Sequence, residues 1–129
     1  MESIIKVIKE IDDMIVGTGA DNASIQAAEA ALNLSFSEEY REYVRHYGCM
    51  SFDGREFTGI SSIERFDVVA ITQQQRKFYP DLPSEWYVIE QLNIDGIVIW
   101  QSDTGKIYQT MPYSAPEKIC DSLSEYIEN

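Results

Sequence analysis

The runs WYVIEQL, IVIWQ and KIYQTM, at residues 86–92, 97–101 and 106–111, constrain this chain more than any other feature. Each is rich in β-branched and aromatic residues, and only Asn93 to Gly96 and Ser102 to Gly105 separate them. Connections this short join antiparallel neighbours, because a parallel pair needs a crossover of a dozen or more residues. The second half of the chain is therefore expected to be an antiparallel meander. Ile97 to Trp100 is apolar without alternation, which places that strand at the sheet centre with both faces covered.

The first half has a helical period instead. Ile4, Val7, Ile8, Ile11, Met14 and Ile15 fall at spacings of three and four, which predicts an amphipathic helix over residues 3–15 that Gly17 and Gly19 stop. The following GTGADN lacks both the strand-to-helix setting of a dinucleotide fingerprint and the Gly-Lys-Ser/Thr of a Walker loop, so it reads as a connection between helices. A second helix is expected from about Ala23 to Leu32, with Asp21 or Asn22 as N-cap and Asn33 in the left-handed conformation after it. A third starts at the N-cap Ser37, carries Glu38 and Glu39 in its first turn and stops at Gly48. Tyr40, Tyr43, Val44 and Tyr47 form its buried stripe.

Asp53-Gly54, between Met50/Phe52 and Phe57/Ile60, signals a tight hairpin. FDVVAITQQQRKFYP predicts a fourth helix begun by Asp67 and ended before Pro80, with Val68, Ile71 and Phe78 facing inward. APEKICDSLSEYIEN predicts a closing helix with Pro116 in an early position and Ile119, Leu123, Tyr126 and Ile127 on one face. These elements read as one compact domain, helical in its first half and mostly sheet in its second, that ends in a docked helix.

Charge limits what such a domain can bind. Twenty-two acidic side chains against ten basic give a formal net charge of -12. Direct nucleic-acid binding needs clustered Lys and Arg and is disfavoured. The acidity either keeps the protein soluble or steers a basic partner, and charge alone does not separate these readings. Lys6, Lys9, Glu10, Asp12 and Asp13 interrupt the amino-terminal apolar run before it reaches signal-peptide length, and no window approaches a membrane span. A cytoplasmic location and no membrane contact are expected, and two cysteines suit a reducing compartment.

The chemistry-bearing residues are few. His46 is the one histidine, three residues from Cys49. The His-x-x-Cys spacing matches no nucleophile motif with a defensible mechanism, and zinc held by His46, Cys49 and Cys120 would lack a fourth ligand. Both cysteines read as small buried hydrophobes. Glu38/Glu39 and Asp12/Asp13 are neighbours on helices that splay rather than share a proton, so each pair reads as a solvated face. No catalytic residue, metal or cofactor is expected.

The run EAALNLSFSEEY from Glu29 to Tyr40, continued by YREYVRHYG to Gly48, resembles the SUKH superfamily, the SMI/KNR-type domain. That family carries a Glu-bearing helix ending in Leu-Gly, then Leu-Pro, then a Tyr and an aromatic-rich helix closing in Tyr-Gly. Leu32-Asn33, Phe36-Ser37, Tyr40 and Tyr47-Gly48 stand at those positions. Asn for Gly keeps the tolerance of positive φ, and Ser for Pro keeps a helix-start residue. Leu82-Pro83 before Tyr87 to Ile89, Asp95-Gly96, Trp100, Thr104-Gly105 and a last helix over Ser122 to Ile127 follow the family's second half in order.

The resemblance implies a single α+β domain over residues 1–129, with a central, mostly antiparallel sheet flanked by helices, and a non-catalytic binding protein. Bacterial members resemble immunity proteins that neutralise a cognate polymorphic or contact-dependent toxin, often a nuclease, by stoichiometric binding. Fungal relatives look like regulatory or scaffolding hubs. An acidic immunity protein would meet the basic cleft of a nuclease toxin quickly and with salt dependence. Asp53, Glu56, Asp95 and Asp103 are the candidate protein-binding residues, because turns project such acids from a sheet. Asp in Asp-Gly also has a purely conformational use there.

Overall fold

Short polar residues satisfy the first unpaired backbone N–H groups of the first four α-helices. The computed structural model describes residues 3–128 and places α1 at Ile4–Lys9, with the Ser3 hydroxyl accepting from the Lys6 N–H. Asp21 caps α2 (Asn22–Leu32), Ser37 caps α3 (Glu38–Tyr47) and Asp67 caps α4 (Val68–Phe78), each accepting from the backbone N–H three residues on. Asn33 closes α2 in the left-handed conformation at φ 54°.

Seven strands form one antiparallel sheet in simple sequence order: β1 (Ile15–Val16), β2 (Met50–Phe52), β3 (Arg55–Phe57), β4 (Tyr87–Gln91), β5 (Val98–Gln101), β6 (Ile107–Thr110) and β7 (Glu117–Cys120). With α5 (Leu123–Glu128) and the other helices this is the expected α+β arrangement. Asp53 at φ 50° and Gly54 at φ 73° make the β2–β3 turn, the double positive φ that matches the twist of a hairpin.

Alternation along the strands divides the core in two. One face carries Phe57, Tyr87, Ile99 and Ile107 beneath α1, α3 and α5, together with Phe36, Tyr40, Tyr43 and Leu123. The other carries Val88, Val98 and Trp100, packed with Ile71 of α4, Trp86, Tyr79, Leu82 and Tyr108. All four residues of β5 are buried, so the strand is covered on both sides as its composition predicts.

Three local expectations are corrected. The first helix ends at Lys9 rather than at residue 15: Asp13 turns the chain at φ 56°, and Ile15 and Val16 pair with Ser51 and Met50 as β1. Ile15 is 70% exposed, so ladder hydrogen bonds rather than burial fix its place. Phe78 does not face inward but is 75% exposed at the end of α4. The segment from Pro116 is not helical at first: Glu117–Cys120 pairs with β6, Ile119 is 41% exposed, and helix begins only at Leu123.

Candidate protein-binding surface

The residues with the most reactive side chains have structural partners. His46 is exposed in the last turn of α3 with Nδ1 3.1 Å from the Glu42 carbonyl. Cys49 is half-buried, and burial pushes its thiol up, away from the thiolate a nucleophile needs. Cys120 is buried and its thiol donates to the Ser122 carbonyl at 3.5 Å. Among the described residues no group of three or more His, Cys, Asp or Glu is placed to hold a metal ion.

The acidic pairs divide. Asp12, Asp13 and Glu38 are exposed, as expected of solvated faces, but Glu39 is not one of them. Its Oε1 accepts from the Leu123 N–H at 2.6 Å and from Gln101 Nε2 at 3.0 Å, and its Oε2 accepts from the Ser124 N–H and hydroxyl at 3.1 and 3.0 Å. A carboxylate on α3 thus caps α5, 84 positions further along the chain. Glu90 on β4 is 1% exposed and held by Arg55, whose Nε and Nη2 donate at 3.0 and 2.9 Å, and by the Tyr126 hydroxyl at 2.5 Å. The Arg55 guanidinium lies over Phe52, Phe57 and Tyr126 at 4.8 to 5.4 Å.

The four candidate acids do not share one site. In an antiparallel meander successive turns alternate between the two ends of the sheet. Asp53, in the β2–β3 turn, and Asp95, in the β4–β5 loop, are therefore at one end, and Asp103, in the β5–β6 turn, is at the other. All three are exposed. Glu56 lies within β3, half-buried, and accepts from Arg65 Nε at 3.0 Å.

The end that carries Asp53 and Asp95 also carries a groove that periodicity does not reveal. The β6–β7 connection, residues 111–116, comes back beside the β4–β5 loop so closely that a Cβ on Gly96 would stand 3.0 Å from the Pro112 ring. With the last turn of α4, the two loops enclose a hollow of about 480 Å³ lined by Gln75, Phe78, Tyr79, Asn93, Ile97 and Tyr113 among others. A second hollow of about 290 Å³ shares Phe78 and Tyr79 and extends toward Asp81, Leu82 and Pro116.

Large apolar side chains crowd this rim in solvent. Phe78 and Ile94 are 75% and 58% exposed, and Tyr113 is fully exposed. The backbone beneath them is unusual: Asn93, Asp95 and Gly96 all have positive φ, and so does Tyr113, at 65°. Asn, Asp and Gly tolerate that region, whereas a tyrosine there carries strain of about 1 kcal/mol or more. Tyr113 stands between Pro112 and Pro116 in MPYSAP, an aromatic in a stretch unable to form helix or central strand. That was the one available signal for the rim.

A family model described as SMI1-KNR4 cell-wall matches the sequence over residues 1–129. No curated protein matches it.

Proposed function

This chain belongs to the SMI1-KNR4 family, and from that premise we propose that it is a non-catalytic immunity protein that neutralises a cognate toxin, of the nuclease type, by forming a stoichiometric complex in the cytoplasm. The observation that carries the binding role is the rim around Phe78, Ile94 and Tyr113, where large apolar groups stay in water at the end of the sheet that also bears Asp53 and Asp95. A net charge of -12 supports a basic partner such as a nucleic-acid-cutting domain, because opposite fields accelerate encounter. No helix among the described residues is long and apolar enough to cross a membrane.

The test is co-expression with any toxin-like domain that a neighbouring gene encodes, followed by purification and calorimetry. A one-to-one complex, with growth restored to cells that carry the toxin domain, is the expected result. No complex and no protection would overturn the reading. A second reading, an intracellular regulatory or scaffolding module, is favoured by the cell-wall description of the matching family. A gene neighbourhood without toxins and several weak partners would support it instead.

A further inference from the structure

Building on the reading of this chain as a binding protein, we propose that the groove between α4 and the two adjoining loops docks a basic partner segment, which inserts one large apolar side chain flanked by lysine or arginine. The hollow of about 480 Å³ has no charged residue in its lining. That volume lies within the range of about 300–1,000 Å³ typical of ligand sites. An inserted charge would find no counterion there, so the inserted group is apolar.

The flanks carry the opposite requirement. Asp95 precedes Gly96 on one side, and Asp81 lines the adjoining hollow on the other. Among neighbouring cations, Arg65 is paired with Glu56 at 3.0 Å, Arg76 donates to the Ser84 carbonyl at 2.9 Å and Lys77 is exposed on α4, and none of the three lines either hollow. A segment with positive charge on both sides of its anchor therefore meets acid at both ends. A second copy of this chain fits poorly, since each copy carries a net charge of -12 and would be repelled. Tyr113 supplies an independent pointer: its exposed ring is presented on a backbone conformation that costs energy, and such strain concentrates at binding sites.

The experiment maps amide chemical shifts of the isotope-labelled full chain during titration with two blocked tripeptides, Lys-Trp-Lys and Glu-Trp-Glu. The basic peptide should move the amides of Phe78, Ile94, Gly96 and Tyr113 and bind at least about tenfold more tightly than the acidic one. Phe78→Ala and Tyr113→Ala should each weaken it about tenfold, with circular dichroism unchanged. Asp81→Asn combined with Asp95→Asn should remove most of its salt dependence. Equal affinity for the two peptides, shifts elsewhere or no shifts, or sedimentation as a dimer closed by this groove would each overturn the proposal. A toxin complex indifferent to Phe78→Ala and Tyr113→Ala would sink the groove and leave the immunity reading standing. Groove shifts without any toxin complex would do the reverse.

Discussion

Two regions of this molecule treat aromatic rings in opposite ways. Beneath α3, Phe36, Tyr40, Tyr43 and Tyr87 are buried to 2% exposure or less, and each phenol is bonded: Tyr40 to Thr58 Oγ1 at 2.9 Å, Tyr43 to the Thr58 carbonyl at 2.8 Å, Tyr87 to Gln101 Oε1 at 2.9 Å. Phe36 meets Tyr87 edge-on at 4.8 Å. At the rim of the sheet, Phe78 and Tyr113 stand in water, and Tyr113 does so on strained backbone. The first region spends its aromatics on making one unique core, with no buried side-chain polar atom left unpaired among the described residues. The second keeps its aromatics for something outside the chain. Exposure is thus not a failure of packing here, since the same fold packs tyrosine completely where it needs to.

The contrast can be broken most severely with alkali. Burial raises the Tyr40 and Tyr43 phenols well above their usual value of 10.0. An acid whose folded pKa is raised favours the protonated fold, so that stability is full below pH 10 and is lost as the pH rises through the folded-state values. Phenolate absorbance from these residues should appear in a single cooperative step together with loss of helical circular dichroism. Early ionisation of Tyr40 and Tyr43 in a still-native fold would show that the core region is wetter than its geometry states.

A smaller effect is expected from Glu90→Ala. It leaves the Arg55 guanidinium without its carboxylate among three aromatic rings and removes the partner of the Tyr126 hydroxyl. Arg55 retains 27% exposure, so the loss should sit near the lower end of the range for a broken buried pair, about 3 kcal/mol by denaturant titration. A loss below about 1 kcal/mol would mean that water replaces the carboxylate easily.

The smallest effect has the opposite sign. Tyr113→Gly relieves the positive φ at 65° while removing a side chain that touches solvent on all sides. Net stabilisation of about 0.5 kcal/mol, or about 2 °C in Tm, is expected after the entropy cost of glycine is counted. Gain of stability with loss of Lys-Trp-Lys binding would sharpen the contrast between the two regions, as a strained residue kept for contact predicts. A clear loss of stability would place Tyr113 with the core instead.

How much of this was legible depends on how far apart the cause and its effect lie in sequence. Asp21, Asn33, Ser37 and Gly48 bound α2 and α3 because a cap acts within three or four residues, and Asp53-Gly54 fixes its hairpin for the same reason. The meander follows from its short loops. By contrast, Ile15 continues the apolar spacing of α1, and only pairing with Ser51 draws it into β1. Ile119 likewise fits a helical face until β6 supplies a ladder for it. Glu39 resembles any first-turn acid, and its donors lie at Leu123 and Ser124. The groove arises from loops brought together by strand order, so no local pattern marks it beyond the exposed tyrosine between two prolines.

The bond network at Glu39 has a consequence for synthesis. As the chain leaves the ribosome, α3 emerges long before residues 123 and 124, and until they arrive the Glu39 carboxylate lacks the donors that hold it in the finished protein. The Tyr126 hydroxyl, which completes the surroundings of Glu90, arrives with the same helix. Translation must therefore pass Tyr126 before the core can close, and a nascent chain stalled before α5 would expose the inner face of its sheet to chaperones and proteases.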